Sequence, residues 1–472
     1  MKLLGRYTPH YILTLLYMLQ SSEYNLRNYI SWFHRNQDIR EIMKRGRLKY
    51  TKKIQLLLVA MVSMIILILS LAVLLYIQGG WSIISALLLI MLSPWLLAYG
   101  ITIPLWLGYI LVQVPREKRI IADARAILAE HPAIKIAIAG SYGKTTAKES
   151  LQTILSEAKK VAATPGNMNT LIGTSWFIKS LKGNEDIIIF ELGESHVGDI
   201  RKLCELIQPD QGIITGINEA HLETFKNVEN TIATIFELED FLGDRPLYKN
   251  KESSYVRTRI DADDPLAYDR SGVDGWTVVD SSVSLRGTSF TIQKKARVIW
   301  AKTKLLGLHN IGILSVAVAI ADSFKFTASD ITDGLKNVVP FEHRMEPREL
   351  HGAWVIDDTY NGNIEGVEAG LGLLKSIQAT RRIYVTPGLV EQGDKTREIH
   401  EKMGRLIAGS ADMVVLMQNS VTDYISDGLH EAGFKGRVLL VDDPLKFYTN
   451  LEHFVAKGDV VLMQNDWTDN YA

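Results

Sequence analysis

The chain has 472 residues, enough for two or three domains, and a formal net charge of −1. So even a balance of charge leaves no electrostatic footprint for nucleic acid, and no nucleic-acid partner is expected. The single cysteine, Cys204, excludes an internal disulfide and a cysteine-built zinc site, suits a reducing compartment, and reads as a small buried hydrophobe.

Residues 1–53 mix Tyr24, Tyr29, Trp32 and Phe33 with Arg27, His34 and Arg35. Such a segment can lie on a membrane surface or cap the apolar helices that follow, and the sequence does not choose. Ile54 to Ile77 carries no charged residue and exceeds the roughly 20 residues that span a bilayer core. Gln78-Gly79-Gly80 breaks it. A second uncharged region runs from Trp81 to Val114 with Pro94 and Pro104 inside, which suggests a kinked, tilted or partly interfacial helix. Trp81, Trp95, Tyr99, Trp106 and Tyr109 suit the headgroup region. The first apolar run begins too late and is too long for a signal peptide. Arg40, Lys44, Arg45, Arg47, Lys49, Lys52 and Lys53 precede the first run, and Arg116, Lys118 and Arg119 follow the second. Basic flanks on both sides of an uncharged hairpin place both ends in the cytoplasm, giving a multi-pass cell-membrane protein whose domains after the hairpin are expected to be cytoplasmic.

From Ile134 onward, short apolar strands alternate with helical stretches. Ile134–Ala139, Ile187–Leu192 and Gly212–Ile217 read as strands of a parallel sheet covered on both faces. Gly275 to Leu306 reads as a β meander. A second α/β series begins near Pro340, with strands at Ala353–Ile356, Arg382–Thr386, Met413–Met417, Val438–Val441 and Asp459–Met463, and suggests a separate doubly wound domain.

The first of these strands feeds Gly140-Ser141-Tyr-Gly143-Lys144-Thr145-Thr146 and then a helix-like segment. The spacing is a shortened phosphate-loop pattern. Backbone N–H groups of such a loop can cradle phosphates, the lysine can reach the outer phosphates, and the Thr145 hydroxyl can ligate Mg²⁺. Glu191, at the carboxyl end of a strand, is placed to hold Mg²⁺ directly or through water; read alone it can equally be a loop charge. His221 follows another strand, where a structural role and a ligand role both remain open. Asp357-Asp358-Thr-Tyr-Asn-Gly-Asn363 can meet a ribose or a metal-bound phosphate, or can simply form a turn. Arg344 lies at the domain junction, where a guanidinium can swing onto a phosphate or stand as a surface cation.

Eight segments in one order carry a resemblance. They are Gly140 to Thr146, Thr164-Pro-Gly-Asn-Met-Asn169, Glu191-Leu-Gly193, Glu219-Ala-His221-Leu-Glu223, Ala262-Asp-Asp-Pro265, Gly307-Leu-His-Asn310, His343-Arg344-Met-Glu346 and Asp357 to Asn363. Over about residues 130–472 the chain resembles the Mur ligases, ATP-dependent amide-bond ligases of bacterial cell-wall synthesis. The Asp-Asp-x-Tyr-Asn-x-Asn run points to the dipeptide-adding branch. The resemblance implies an α/β fold: a P-loop central domain and a C-terminal doubly wound, Rossmann-like domain, preceded here by a two-helix transmembrane hairpin. The expected boundaries are a basic juxtamembrane segment at 1–53, the hairpin at 54–114, the central domain at 115–339 and the C-terminal domain at 340–472.

The resemblance also implies the cofactors, ATP and Mg²⁺, and the roles. Gly140, Ser141, Gly143, Lys144, Thr145 and Thr146 form the phosphate cradle. Lys144 binds the β- and γ-phosphates, and Thr145 and Glu191 hold Mg²⁺. His221 ligates a second Mg²⁺, Asn310 meets the adenine, and Arg344 and Asp358 close onto ATP. Lys144, His221 and Arg344 are the expected catalytic residues.

The chain also departs from the family pattern. Phe236 stands where a carbamylated lysine is usual; either Glu237 or Glu239 substitutes for the carbamate, or second-metal binding is weaker. Ile313 stands at a frequent Asn and Ile364 at a frequent Pro, and Gln464-Asn465-Asp466 replaces a Lys-Gly-Ser-like run. The hairpin occupies the place of the domain that grips the UDP end of the substrate. The expected partner is therefore a cell-wall precursor, either a small molecule or lipid-linked, together with the membrane. Two other functions stand as alternatives: a poly-γ-glutamate-type ligase, against which the second α/β domain and the Asp357 to Asn363 run weigh, and a nucleotide-binding envelope scaffold without catalysis, against which Lys144, Thr145, Glu191 and His221 weigh.

Overall fold

The computed structural model describes residues 4–22, 24–35, 48–166, 168–219, 225–360, 362–390 and 392–465. The chain forms two compact units, Met1–Ile120 and Ile121–Ala472.

In the first unit, helices Lys52–Gln78 and Ser82–Gly100 form a hairpin. Thr51 caps the first helix by accepting the Ile54 N–H. Gly79 and Gly80 turn the chain at φ 72° and 58°, which side chains disfavour. The second helix runs through Pro94. Proline removes a backbone donor from that turn, and Ser93 Oγ donates to the Ile90 carbonyl at 2.8 Å. After Ile101 the chain stays helical through Thr102–Gly108, a π turn at Tyr109–Gln113, and Val114–Glu130. The described part of residues 1–53 is a helical cap on this hairpin. Helices Pro9–Ser21 and Leu26–Arg35 bury Leu15, Leu16, Leu19 and Phe33 against Ile54, Met61, Leu97 and Ile101. Tyr11 and Tyr29 hydroxyls donate to the carbonyls of Pro94 and Ala98 at 2.8 and 2.9 Å.

The second unit holds three sheets. The first has six parallel strands in the order β2-β3-β1-β4-β5-β6: β1 Ile134–Ala139, β2 Val161–Ala163, β3 Ile187–Glu191, β4 Gln211–Ile214, β5 Leu247–Asn250 and β6 Ala267–Tyr268. Its central strands are mostly apolar because both faces are covered. Ile136, Ile138, Ile187 and Ile189 enter one core, and Ala137, Ala139, Ile188 and Phe190 enter the other. Cys204 is fully buried in the second of these cores. The meander is an antiparallel sheet of β7 Gly272–Val273, β8 Trp276–Ser284, β9 Gly287–Lys294 and β10 Arg297–Thr303.

The third sheet runs β11-β12-β16-β13-β14-β15. Its strands are β11 Glu346–Leu350, β12 Ala353–Asp358, β13 Arg382–Thr386, β14 Met413–Met417, β15 Arg437–Val441 and β16 Val460–Gln464. All five expected strands are present and parallel. The edge strand β11 is an addition and runs antiparallel; its charged sequence EPREL gave no apolar strand signal.

Candidate active site

In the first sheet β1 lies between β3 and β4, so the strand order reverses beside it. A crevice opens at the carboxyl ends of strands at such a switch point. The loop after β1 enters that crevice at Gly140, whose φ of 144° is a glycine conformation. A Cβ there would stand 2.2 Å from Thr215 Oγ1. The loop is tied to the end of β4. Ser141 N–H donates to Gly216 O at 2.7 Å, and Thr215 Oγ1 donates to Tyr142 O at 2.6 Å. Gly143, at φ 81°, then starts the helix Lys144–Leu155, whose N-terminal N–H groups point into the crevice.

Two adjoining cavities meet here, of about 620 and 980 Å³. Tyr142, Gly143, Phe341, Arg344, Asn363 and Glu365 line both. The larger holds Ser141, Lys144, Thr145 and Glu191. The smaller holds Thr146, Asn310 and Asp358. Residues far apart in sequence and on both α/β sheets are therefore brought to one place. Gly140 forms the root of the loop rather than its wall. His221 lies outside the described residues.

Lys144 Nζ donates to the Gly140 carbonyl and to both oxygens of Glu194, at 3.1 and 3.0 Å. Glu191 ends β3, 4% exposed, with Asn169 Nδ2 at 3.4 Å from Oε1 and Lys148 Nζ at 3.3 Å from Oε2. Arg344 stacks over Tyr360 at 4.6 Å, so it is no surface cation, and burial lowers its pKa. The Asn310 amide NH₂ donates to Leu306 O at 2.8 Å at the start of the helix Asn310–Ser323. Its neighbour His309 is pushed down to about 4, by burial first and Arg270 second, so the ring in the smaller cavity is neutral at physiological pH.

Asp358 accepts from Met345 N–H at 3.1 Å and from Gln464 Nε2 at 2.6 Å. Burial pushes its carboxyl up to about 6 from 3.8, against those bonds and the charge of Arg344. The ionised form is thus disfavoured by folding. The penalty is absent below about pH 4, grows as pH rises, and is complete above about pH 6, where it costs about 1–3 kcal/mol. Wild-type thermal stability should fall between about pH 4 and pH 7. Unfolding scans of Asp358→Asn should show that fall reduced; an unchanged slope refutes the assignment.

Two buried polar atoms of residues lining the larger cavity, Ser141 Oγ and Arg344 Nε, make no hydrogen bond, and Glu191 Oε2 has only its ion pair with Lys148. Beside Lys144 and a helix N-terminus, that set fits a phosphate with a divalent cation. Among the described residues no group of three or more His, Cys, Asp or Glu side chains gathers as a metal cage. Mg²⁺ needs none, since one or two protein ligands, phosphate oxygens and water complete its shell.

Both carboxylates that could replace a carbamylated lysine already have partners. Glu237 accepts the N–H groups of Gly198 and Arg201, at 3.0 and 2.9 Å, at the start of the helix Asp199–Ile207. Glu239 pairs with Lys249 at 2.9 Å. Phe236 itself is 3% exposed within the core.

Sequence reasoning missed Lys148, Glu194 and Glu365. Lys148 stands one helical turn after Lys144, a spacing that puts both on one face. Glu194 follows Glu191 by three residues. Glu365 left no signal beyond its place in the first turn of a helix; its carboxylate meets Asn218 Nδ2 at 3.0 Å from the other sheet.

Residues 138–321 match the Mur ligase middle domain, and residues 343–464 match the Mur ligase, glutamate ligase domain. A UDP-N-acetylmuramoyl-tripeptide–D-alanyl-D-alanine ligase of Bacillus subtilis is 26% identical over 352 residues, covering 72% of this chain and 75% of that protein. The enzyme of the same name from Treponema pallidum is 30% identical over 285 residues, covering 59% of this chain and 60% of its own length. Among solved structures, the MurF ligase of Thermotoga maritima in complex with ADP superimposes with a TM-score of 0.64 at 24% identity, covering 74% of this chain and 80% of that one. With the phosphate loop, the two α/β sheets and both domain matches in agreement, the chain belongs to the Mur ligase family of ATP-dependent ligases, which use ATP and Mg²⁺.

Proposed function

We propose that this chain is a membrane-anchored amide ligase that adds D-alanyl-D-alanine, or a similar amine, to the peptide of a cell-wall precursor. The observation that carries the reading is the joint site, where Lys144, Thr145 and Glu191 of one sheet face Arg344 and Asp358 of the other across two connected cavities. The names of the relatives and the Asp357 to Asn363 run favour the dipeptide as amine.

The chemistry follows from charge. An acceptor carboxylate attacks the γ-phosphorus of ATP, forming an acyl phosphate and ADP. The amine then attacks the acyl carbon, the C–O bond to phosphate breaks, and inorganic phosphate leaves as the nitrogen loses its proton. Two anions must meet in the first step. Lys144, the loop N–H groups and Arg344 offset that repulsion, and a bound Mg²⁺ would supply further positive charge. Thr145 and Glu191 hold the cation in this reading, with His221 as ligand of a second. The Asn310 and His309 cavity receives the base. Closure of the two domains keeps water from the acyl phosphate.

The membrane reading rests on the apolar hairpin. Helix Lys52–Gln78 has 27 residues, and only 17% of its most apolar window is buried. Leu56, Leu67, Ile77, Leu87 and Leu111 stand between 62% and 74% exposed. A core helix of a water-soluble protein buries such residues, whereas a bilayer accepts them outward. The basic flanks place both ends in the cytoplasm, with domain boundaries near residues 53, 114 and 339.

The test uses the full chain in proteoliposomes with ATP, Mg²⁺, D-alanyl-D-alanine and either a UDP-linked or a lipid-linked peptide acceptor. Mass spectrometry should find the acceptor extended by the dipeptide, with higher turnover on the lipid-linked form, because sharing a membrane raises effective concentration. A parallel reaction supplied with glutamate in place of the dipeptide tests the poly-γ-glutamate alternative, which extension by glutamate there, with none by D-alanyl-D-alanine, would support. No product with any acceptor refutes the ligase reading.

A further inference from the structure

The chemistry above leaves one buried group of the phosphate site unused. Glu194 lies three residues past the end of β3, and its side chain is 3% exposed. Both of its oxygens face the Lys144 ammonium, at 3.1 and 3.0 Å. The Gly140 carbonyl takes the same ammonium from the loop side. Lys144 has three N–H donors, and all of them are engaged within the protein. Glu191 lines the same cavity, so the wall meant for phosphates carries two carboxylates.

This arrangement treats two forms of a nucleotide differently. A metal-free nucleotide brings several negative charges toward Glu191 and Glu194, and must also displace Glu194 from Lys144. In a water-poor site such like-charge contacts cost far more than in bulk water. A nucleotide carrying a divalent cation brings compensating charge to those carboxylates. We infer that Glu194 makes the site select the metal-bound nucleotide over the free one, by holding Lys144 until phosphate arrives and by repelling phosphates that come without a cation. The inference rests on the nucleotide reading of the site.

Binding of ADP to the full chain in detergent, measured by calorimetry in Mg²⁺ and in EDTA, tests it. Glu194→Gln keeps the shape and removes the charge. In EDTA the variant should bind ADP about tenfold tighter than wild type, while binding in Mg²⁺ changes little. The ratio of metal-free to metal-bound dissociation constants should therefore fall about tenfold. Glu194→Ala should move the ratio in the same direction, which separates the charge from the packing of the amide. Metal-free binding that is unchanged or weaker in Glu194→Gln overturns the proposal. So does a loss of affinity confined to Mg²⁺, which instead makes Glu194 a metal ligand. Wild type that binds no ADP in either condition overturns the nucleotide reading, and this proposal with it.

Discussion

Lys144→Ala is expected to reduce ATP-dependent product formation by about 10³-fold or more while leaving the fold intact. The side chain sits at the start of the helix Lys144–Leu155, and its ammonium lies beside the Gly140 loop in the wall of the larger cavity. Charge that develops on a transferring phosphoryl group needs a compensating group already in place, because building one during the reaction costs reorganisation energy. The chain should still fold, because Lys144 packs into neither core of the first sheet, but with lowered stability, since buried Glu194 loses its cation. The loss should appear in turnover more than in binding of the acceptor. A purified, folded Lys144→Ala protein with an unchanged rate would remove Lys144 from the chemistry.

Lys148→Ala should act on stability instead, lowering it by about 3–5 kcal/mol. Its side chain is fully buried. The ammonium donates to the carbonyls of Thr164 and Gly166 at 2.8 and 3.3 Å, and lies 3.3 Å from both Glu191 and Glu149. Removing it leaves buried carboxylate charge and backbone acceptors without their cation, and burial makes each loss expensive. The Thr164–Gly166 segment should loosen along with Glu191, so nucleotide affinity should fall as well. Thermal unfolding of Lys148→Ala and Lys148→Met reads this. Because methionine restores the volume but not the charge, most of the loss should persist in Lys148→Met. Full recovery there would mean that packing alone explains the site.

Where the sequence spoke clearly, it did so through periodicity and local motifs. The strands Ile134–Ala139 and Met413–Met417 stand where their apolar runs put them, because a parallel strand covered on both faces has no choice but to be apolar. The phosphate loop was legible for the same local reason: Gly140 and Gly143 take φ values of 144° and 81° that only glycine adopts cheaply. The strand Glu346–Leu350 was not legible, since an exposed edge strand tolerates charge and carries no alternating apolar signal. The first 53 residues were ambiguous because amphipathic helices look alike whether lipid or protein covers them. Only the packing of Tyr11 and Tyr29 onto Pro94 and Ala98 decided for a cap.

The sequence by itself determined the family, the order of the α/β elements, the apolar hairpin and the glycine loop after the first strand, because each is written within a few consecutive positions. Tertiary structure alone decided which charges share a site. It withdrew Glu237 and Glu239 to a helix start and an ion pair elsewhere, placed Lys148 beneath Glu191, and set Glu194 against Lys144. The reason is physical: a buried charge is defined by its partner, and partners brought together by chain folding leave no mark in local spacing.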